Sequence, residues 1–170
     1  MILPVRYLEA ADSLGWGAQA GNAPDYLREL DRAIIAELEK RDIASSWTLA
    51  DRVIQTARRN PISMPDPTTI PAERIRGRVV PGNMVGEPLG SQLRVLGALA
   101  GARHALVPVE LRFENADAGG ARQVLRIVLI DTRTSMVRLA RDISAPPQTT
   151  FSPALLTSMA ESFADLFSAP

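Results

Sequence analysis

The chain contains no cysteine, which excludes disulfide bonds and metal sites built from thiolates. It has one histidine, His104, and no carboxylate is spaced along the sequence to complete a metal site with it. Lysine and arginine together number 19 and are balanced by 19 acidic residues. Because the basic residues are scattered through every segment, this balance points neither to nucleic acid nor to an anionic membrane. We therefore expect no metal, no cofactor and no nucleic-acid partner.

Long hydrophobic runs are also missing, since no apolar stretch approaches the roughly 20 residues that a membrane-spanning helix needs. Residues 1–6 lack the basic region and long apolar core of a signal peptide, and they are typical of the start of a strand. Either the protein is cytosolic, or a leader has been removed ahead of Met1. A chain of 170 residues is a normal length for one domain with a core that needs no disulfides.

Ligand-binding motifs are scarce. Gly15, Gly17 and Gly21 lie between a predicted strand and a predicted helix, where a dinucleotide fingerprint would stand. Their spacing is G-x-G-x-x-x-G instead of G-x-G-x-x-G, and the first glycine lies too far beyond the strand for a tight phosphate-binding turn. A flexible loop is the simpler interpretation. A small nucleotide-binding protein or enzyme that uses this loop remains the alternative.

Catalytic motifs are equally scarce. Asp131 and Thr132 follow two apolar residues, as the aspartate of an aspartic protease does, but position 133 is an arginine that would crowd a carboxylate pair. We interpret Asp131 as a turn residue whose side chain bonds backbone N–H groups. No G-x-S-x-G elbow is present to support a Ser-His-Asp triad around His104, which we interpret as structural.

The most regular stretch runs from residue 104 to residue 144 and predicts three consecutive strands, over residues 105–114, 123–131 and 136–144. Apolar and polar side chains alternate, so one face of the sheet is expected to be buried and the other mixed. The links, residues 115–122 and 132–135, are short and polar and suit antiparallel hairpins. The expected buried face carries Val107, Val109, Leu111 and Phe113, then Leu125, Ile127 and Leu129, then Val137, Leu139 and Ile143.

Helices and shorter strands are predicted around this meander. Residues 2–8 and 43–48 favour short strands, and residues 24–41, 49–59, 89–101 and 153–167 carry apolar side chains at helical spacing. The order is β-α-β-α-loop-α-β-β-β-α. We therefore expect one α/β domain over residues 1–170, with helices packed on a mixed sheet and a C-terminal antiparallel meander. The opening β-α-β unit is expected to be parallel.

Residues 61–88 form a Pro-rich, irregular excursion that holds six prolines and three glycines. An irregular segment of this length is uncommon inside a compact domain and often has a function. Two interpretations stay open. The segment is either a passive surface excursion, or part of an interaction site with an exposed apolar groove or sheet edge beside residues 62–75.

Two passages of the chain resemble a superfamily of bacterial cell-envelope proteins. In residues 89–107, Leu96-Gly97 precedes a run of small residues that leads into Leu106-Val107, and in residues 124–139 an Asp131-Thr132 turn joins two apolar strands. A final helix follows in the same order. The superfamily includes the curli-secretion lipoprotein CsgG, the TolB amino-terminal domain and the lipoprotein activators of penicillin-binding proteins. Ser135 stands where these proteins usually have a turn glycine.

The resemblance implies a protein of the periplasm or of the inner face of the outer membrane. It implies a non-enzymatic domain that works by contacting other envelope proteins, with a lipid anchor outside this sequence as its link to the membrane. Homo-oligomers are compatible with it. The partner-binding residues are left open by the sequence, and no residue is assigned a catalytic role.

Overall fold

The computed structural model of the protein describes residues 1–9, 15–77, 79–116 and 120–167. In these residues four strands form one open mixed sheet in the order β1-β2-β3-β4. β1 is parallel to β2, and the two later pairs are antiparallel. The predicted α/β class and the C-terminal meander are confirmed. The strands are β1 (Tyr7–Glu9), β2 (His104–Asn115), β3 (Ala121–Asp131) and β4 (Met136–Ser144).

Within the described residues the helices are α1 (Trp16–Gln19), α2 (Ala23–Lys40), α3 (Ala50–Arg59), α4 (Leu89–Leu99) and α5 (Ala154–Ala164). Helices α2 to α5 correspond to the four predicted helices, because each carries an apolar stripe at helical spacing. The short α1 lies in a stretch predicted as a loop. Residues 10–14 of that loop, and residues 117–119 of the first hairpin link, lie outside the described residues.

Helices cover both faces of the sheet, so the fold has three layers. α2 and α5 pack on one face, which we call the α2/α5 face. α3, α4 and the Pro-rich excursion pack on the opposite α3/α4 face. The expectation of one mixed face therefore holds only for part of the α3/α4 face. Its apolar part carries Ala105, Val107, Val109, Val128 and Ile130, whereas the α2/α5 face carries Leu106, Leu111, Leu125, Ile127 and Ile143.

A β-bulge in β2 reverses the predicted alternation of its side chains. The register of β2 against β3 shifts at Val109, which has no Cα partner in β3. Val107 and Val109 consequently pack on the α3/α4 face, whereas Leu111 and Phe113 pack on the α2/α5 face. The prediction that these four side chains share one face is wrong, because an inserted residue changes the face to which all later side chains point.

Strand β4 has a second bulge with the same consequence. Its register against β3 shifts at Arg138, between Val137 and Leu139. Val137 therefore packs on the α3/α4 face, while Ile143 packs on the α2/α5 face. The predicted grouping of Val137 with Ile143 is also wrong.

The predicted strand at residues 43–48 is wrong. Two residues after the end of α2, Asp42 takes the left-handed conformation (φ +59°), and the N–H of Ile43 bonds back to the Leu38 carbonyl at 3.0 Å. This helix-terminating geometry leads directly into a 3₁₀ helix, Ala44–Ser46. The parallel partner of the first strand is therefore β2. At the end of the wrongly predicted strand, the carbonyl of Thr48 accepts the N–H of Ile2 at 2.9 Å.

The Pro-rich excursion, residues 61–88, contributes to the core instead of passing over the surface. It places buried side chains on the α3/α4 face, and prolines limit its regular structure without preventing this packing. The excursion therefore forms part of the layer that covers the α3/α4 face, together with α3 and α4. Its buried apolar residues are Met64, Ile70, Ala72, Ile75 and Val85.

Candidate functional site

The glycine loop lies at one end of the aromatic part of the core. Gly15 and Gly21 have positive φ angles of 68° and 69° and flank the four-residue helix α1. Trp16 of this helix is buried and packs edge-on against Phe113 and Phe151, with ring centroids 5.9 Å apart in both pairs. The conformation of the loop is explained by this packing. Nucleotide binding at Gly15–Gly21 remains a prediction.

Asp131 is a buried structural carboxylate. It accepts the backbone N–H groups of Arg133 at 3.0 Å and Thr134 at 3.2 Å, and the guanidinium groups of Arg138 and Arg103 at 3.1 and 3.2 Å. Burial by itself would raise the pKa of Asp131, but these four hydrogen bonds hold the pKa well below its usual range. The predicted role as a turn residue is confirmed.

His104 begins β2 and is half-buried, and its carbonyl oxygen accepts the N-terminal ammonium group at 2.6 Å. Across residues 1–9, 15–77, 79–116 and 120–167, no three His, Asp or Glu side chains come close enough together to bind a metal ion. In the same residues, no helix has the length and apolar character required to span a bilayer.

An apolar groove opens where the turn after α3 meets α4. Its volume is about 310 Å³. It lies at the start of the Pro-rich excursion, beside which one of the two open interpretations places an exposed apolar groove or sheet edge. We call this surface the Ile62 groove, and it is lined by Pro61, Ile62, Ser63, Met64, Pro65, Ser91, Gln92 and Val95.

The turn after α3 explains why an isoleucine stands at the rim of this groove. The carbonyl of Asn60 accepts the N–H groups of Ser63 at 3.1 Å and Met64 at 2.9 Å, which closes one helical turn. Met64 is buried in the core, and Ile62, two residues earlier, consequently points outward with 99% of its surface exposed. An apolar side chain is thus held in water by a hydrogen-bonded turn.

The α4 wall of the Ile62 groove combines apolar surface with an unpaired acceptor. Val95 lines the groove and is 38% exposed, and Leu99, one turn further along α4 and outside the groove lining, is 45% exposed. Gln92 has a buried side-chain oxygen, Oε1, without a hydrogen-bond partner among the described residues. Leaving such a group unpaired costs about 1–3 kcal/mol. This oxygen has almost no accessible surface, so it is a local destabilising feature of the groove wall and not a contact point for a partner.

The helix that leads into the Ile62 groove is basic at its end. Arg58 and Arg59 are exposed in the last turn of α3, directly before the groove, and Arg52 is exposed two turns earlier. None of the three forms an ion pair with the described residues. The rim of the groove therefore carries uncompensated positive charge.

A second groove, which we call the edge groove, lies against β4 on the α3/α4 face. Its volume is about 420 Å³. One wall comes from the Pro-rich excursion, and the floor comes from β3 and β4. Its lining consists of Gly77, Val79, Arg126, Val128, Ala140, Arg141 and Asp142.

A row of polar side chains crosses the sheet and ends in the edge groove. Tyr7, Glu110, Arg126 and Asp142 are in register on the four successive strands. Arg126 donates two hydrogen bonds to the Asp142 carboxylate, at 2.8 and 3.1 Å. These bonds lower the pKa of Asp142 to about 2 against the effect of burial, and Arg112 at 2.7 Å adds to the lowering.

Arg76 of the Pro-rich excursion closes the other end of this row. It pairs with Glu110 and with Glu9, the latter at 3.1 Å, and its guanidinium lies 4.9 Å from the centre of the Tyr7 ring. Arg126 also donates to the carbonyl of Gly77 at 3.0 Å. The excursion is therefore attached to the sheet by arginine hydrogen bonds here and by apolar packing elsewhere.

Sequence reasoning missed the edge groove and its polar row. The signal is the alternation of Glu110, Arg112 and Glu114 in β2 with Arg122 and Arg126 in β3, which the sequence shows only as a mixed face. Which charges become partners depends on strand register. That register is shifted by a bulge at Val109, directly after Pro108, and a proline inside an interior strand is the sequence signal for such a bulge.

Comparison with known proteins gives no relative for this chain. No family model matches it. No curated protein is significantly similar to it. No solved structure is significantly similar to it.

Proposed function

We propose that this protein is a non-enzymatic protein–protein interaction domain and that the Ile62 groove is its binding surface. The observation that carries the proposal is the exposure of Ile62, at 99%, beside an apolar groove. Burial of one such side chain against a partner contributes about 1.5–3 kcal/mol. An apolar side chain held out by a turn and placed next to a groove is the arrangement that a docking site requires.

The partner that fits best is an acidic amphipathic helix. Val95 offers an apolar contact inside the groove for the apolar face of such a helix, and Leu99 extends this exposed apolar surface by one turn of α4. Arg58 and Arg59 would meet acidic side chains on the partner.

The cellular setting that we propose is the bacterial envelope, in the periplasm or on the inner face of the outer membrane, with other envelope proteins as partners. The resemblance of residues 89–107 and 124–139 to envelope proteins supports this setting. Fractionation of cells that express the intact gene tests it, and recovery of the protein from the cytosol alone would refute the location.

The binding surface is tested with matched surface variants. Ile62→Asp places a charge at the groove, and Val80→Asp places the same charge at an exposed valine elsewhere, which is 46% exposed. Immobilised wild-type protein, each variant and Arg58→Glu/Arg59→Glu are incubated with envelope extract, and retained proteins are quantified by mass spectrometry. We expect a partner that wild type and Val80→Asp retain equally. Ile62→Asp should retain about tenfold less of it, as the loss of one buried apolar contact predicts.

Two outcomes would contradict the proposal. A partner that Ile62→Asp retains as well as wild type does would place the binding surface elsewhere. Turnover of a substrate by the purified protein, together with no specific partner, would show that the domain is an enzyme. Because Ile62 makes so little contact with the rest of the chain, its variant should keep the melting temperature of wild type.

A further inference from the structure

The backbone of β4 presents unpaired groups along its outer edge. Ala145 donates its N–H to the Gln123 carbonyl at 2.9 Å, and together with the β3–β4 register this assigns the odd-numbered residues at this end of β4 to the bonds with β3. The N–H and C=O groups of Ala140, Asp142 and Ser144 therefore point away from the sheet. None of these three residues has a backbone partner on the outer side among the described residues.

The beginning of the same edge is already occupied by an extended segment of this chain. Gly82 donates to the Val137 carbonyl at 2.9 Å, Val137 donates to the Asn83 carbonyl at 2.8 Å, and Val85 donates to the Ser135 carbonyl at 2.8 Å. The chain leaves the edge at Gly82, whose φ is +92°. The outer edge of β4 thus accepts an extended backbone over its first residues and is uncovered over its last ones.

The edge groove lies directly beside the uncovered residues. Its floor and wall include small and apolar side chains, Gly77, Val79, Val128 and Ala140. Side chains of a strand point alternately to the two faces of a sheet. An added strand would therefore send every second side chain toward this groove, whose volume of about 420 Å³ accommodates a large apolar side chain.

Arg141 borders the edge groove, and strand alternation directs its side chain to the opposite side of the same edge. Arg141 pairs in register with Ile127 of the α2/α5 face and is exposed. It forms no ion pair with the described residues. Leu139 on this side is 38% exposed. The remaining side chains of an added strand would face an uncompensated positive charge.

We propose that the uncovered edge of β4, from Ala140 to Ser144, binds an extended segment of a partner protein as an additional strand. The segment alternates apolar side chains, which enter the edge groove, with acidic side chains, which meet Arg141. Backbone hydrogen bonds to Ala140, Asp142 and Ser144 hold it in register. This second site is separate from the Ile62 groove and does not depend on the function proposed for that groove.

A synthetic peptide of this pattern, acetyl-Thr-Leu-Glu-Phe-Glu-Leu-Thr-amide, is the probe. Amide hydrogen exchange of the full chain is followed by NMR with and without the peptide. We expect exchange at Ala140, Asp142 and Ser144 to slow by about tenfold or more at saturating peptide, since those N–H groups gain acceptors. Exchange at Leu139, Arg141 and Ile143 should change little, because their N–H groups are already bonded to β3.

Backbone and side-chain contributions are separated by controls. Methylation of alternate peptide nitrogens removes donors without altering side chains and should weaken binding about tenfold. Ala140→Pro removes an outward N–H, a position where proline is tolerated in an edge strand, and should have a similar effect. Arg141→Glu should weaken binding severalfold and reduce its dependence on salt. Ile62→Asp lies on the other surface and should leave binding unchanged.

Three results would overturn the proposal. Rapid exchange at Ala140 and Asp142 at every peptide concentration would mean that the edge charges only guard the strand against association. Equal binding of the methylated peptide would mean that the site is not a strand edge. Protection of these amides in the free protein that increases with protein concentration would show that a second copy of this chain occupies the edge.

Discussion

One aspartate on each face of the sheet has a shifted pKa, and the two pKa values are shifted in opposite directions. On the α2/α5 face, Asp31 of α2 accepts the backbone N–H of Val5 at 2.9 Å, and burial raises its pKa to about 7. On the α3/α4 face, Asp142 is bonded by Arg126 and Arg112, and its pKa falls to about 2. Around Asp31 the helical layer is therefore held by apolar packing that disfavours charge, whereas Arg41 forms ion pairs with Glu37 and Asp165 at the end of α2. The layer containing the Pro-rich excursion is held partly by charges that must remain ionised.

The largest expected effect tests the helical layer. Phe163 of α5 is fully buried on the α2/α5 face, and Phe163→Ala should lower the free energy of unfolding by about 3–5 kcal/mol, because it leaves a cavity in addition to the lost apolar contact. Urea denaturation followed by circular dichroism measures the change. A loss below about 1 kcal/mol would mean that α5 is not essential to this layer.

The second test asks whether the excursion is an equal part of the core. Ile70 is 1% exposed on the α3/α4 face, so Ile70→Ala should cost about 3 kcal/mol in the same measurement. The exposed Ile62 provides the matched control, and Ile62→Ala should cost less than about 0.5 kcal/mol. Equal costs at the two positions would show that the excursion is not packed as described.

The third test uses the raised pKa of Asp31. Its folded-state pKa of about 7 exceeds the ordinary value of 3.8, so the folded protein holds a proton that the unfolded chain has released between these pH values. Stability from this residue is therefore greatest below about pH 4 and falls as the pH rises toward 7. Asp31→Asn keeps an oxygen that can accept from Val5, and should increase the free energy of unfolding by about 2 kcal/mol at pH 8.

The comparison for Asp31→Asn is the same pair of proteins at pH 4. Wild type and variant should there have equal stability, because both side chains are neutral in the folded state. A variant that is less stable than wild type at pH 8 would show that the Asp31 carboxylate is favourably solvated, contrary to the raised pKa.

The smallest expected effect has the opposite sign. The pKa of Asp142 is lowered from 3.8 to about 2, so its contribution is fully present above about pH 4 and is lost as the pH falls toward 2. Asp142→Asn should cost about 1 kcal/mol at pH 7, since partial exposure screens the ion pairs with Arg126 and Arg112. Near pH 2 the cost should vanish. Thermal unfolding across pH 2–7 measures both, and a pH-independent difference would contradict the ionic account.

Periodicity predicted the regular elements well where neighbouring residues decide them. Helix α2 is one example, because Leu27, Leu30, Ile34 and Leu38 make a single stripe that can be buried in one way. The three meander strands were predicted for the same reason. What failed was the assignment of faces, because the bulges at Val109 and Arg138 are set by how two strands fit together.

The two candidate surfaces differ in the same respect, because one is marked by neighbouring residues in the sequence and the other is formed only by tertiary structure. An apolar groove or sheet edge beside residues 62–75 was one of two open interpretations, because prolines and glycines mark this segment as irregular. The edge groove was missed because Gly77, Arg126 and Asp142 are brought together only by tertiary structure. Residues 43–47 were wrongly predicted as a strand from their apolar side chains. The left-handed conformation of Asp42 directs the chain into a 3₁₀ helix there.

At Gly82 the chain leaves the outer edge of β4, so this residue limits how far the protein covers that edge with its own backbone. If the chain stayed extended beyond this glycine, it would continue along Ala140 and Asp142 and seal the sheet with a strand of its own. Lengthening or shortening the segment by a few residues would then tune how many backbone groups the molecule leaves open, without altering a single core side chain. One left-handed residue in a proline-rich segment thereby determines whether this sheet is closed on itself or extendable by another chain.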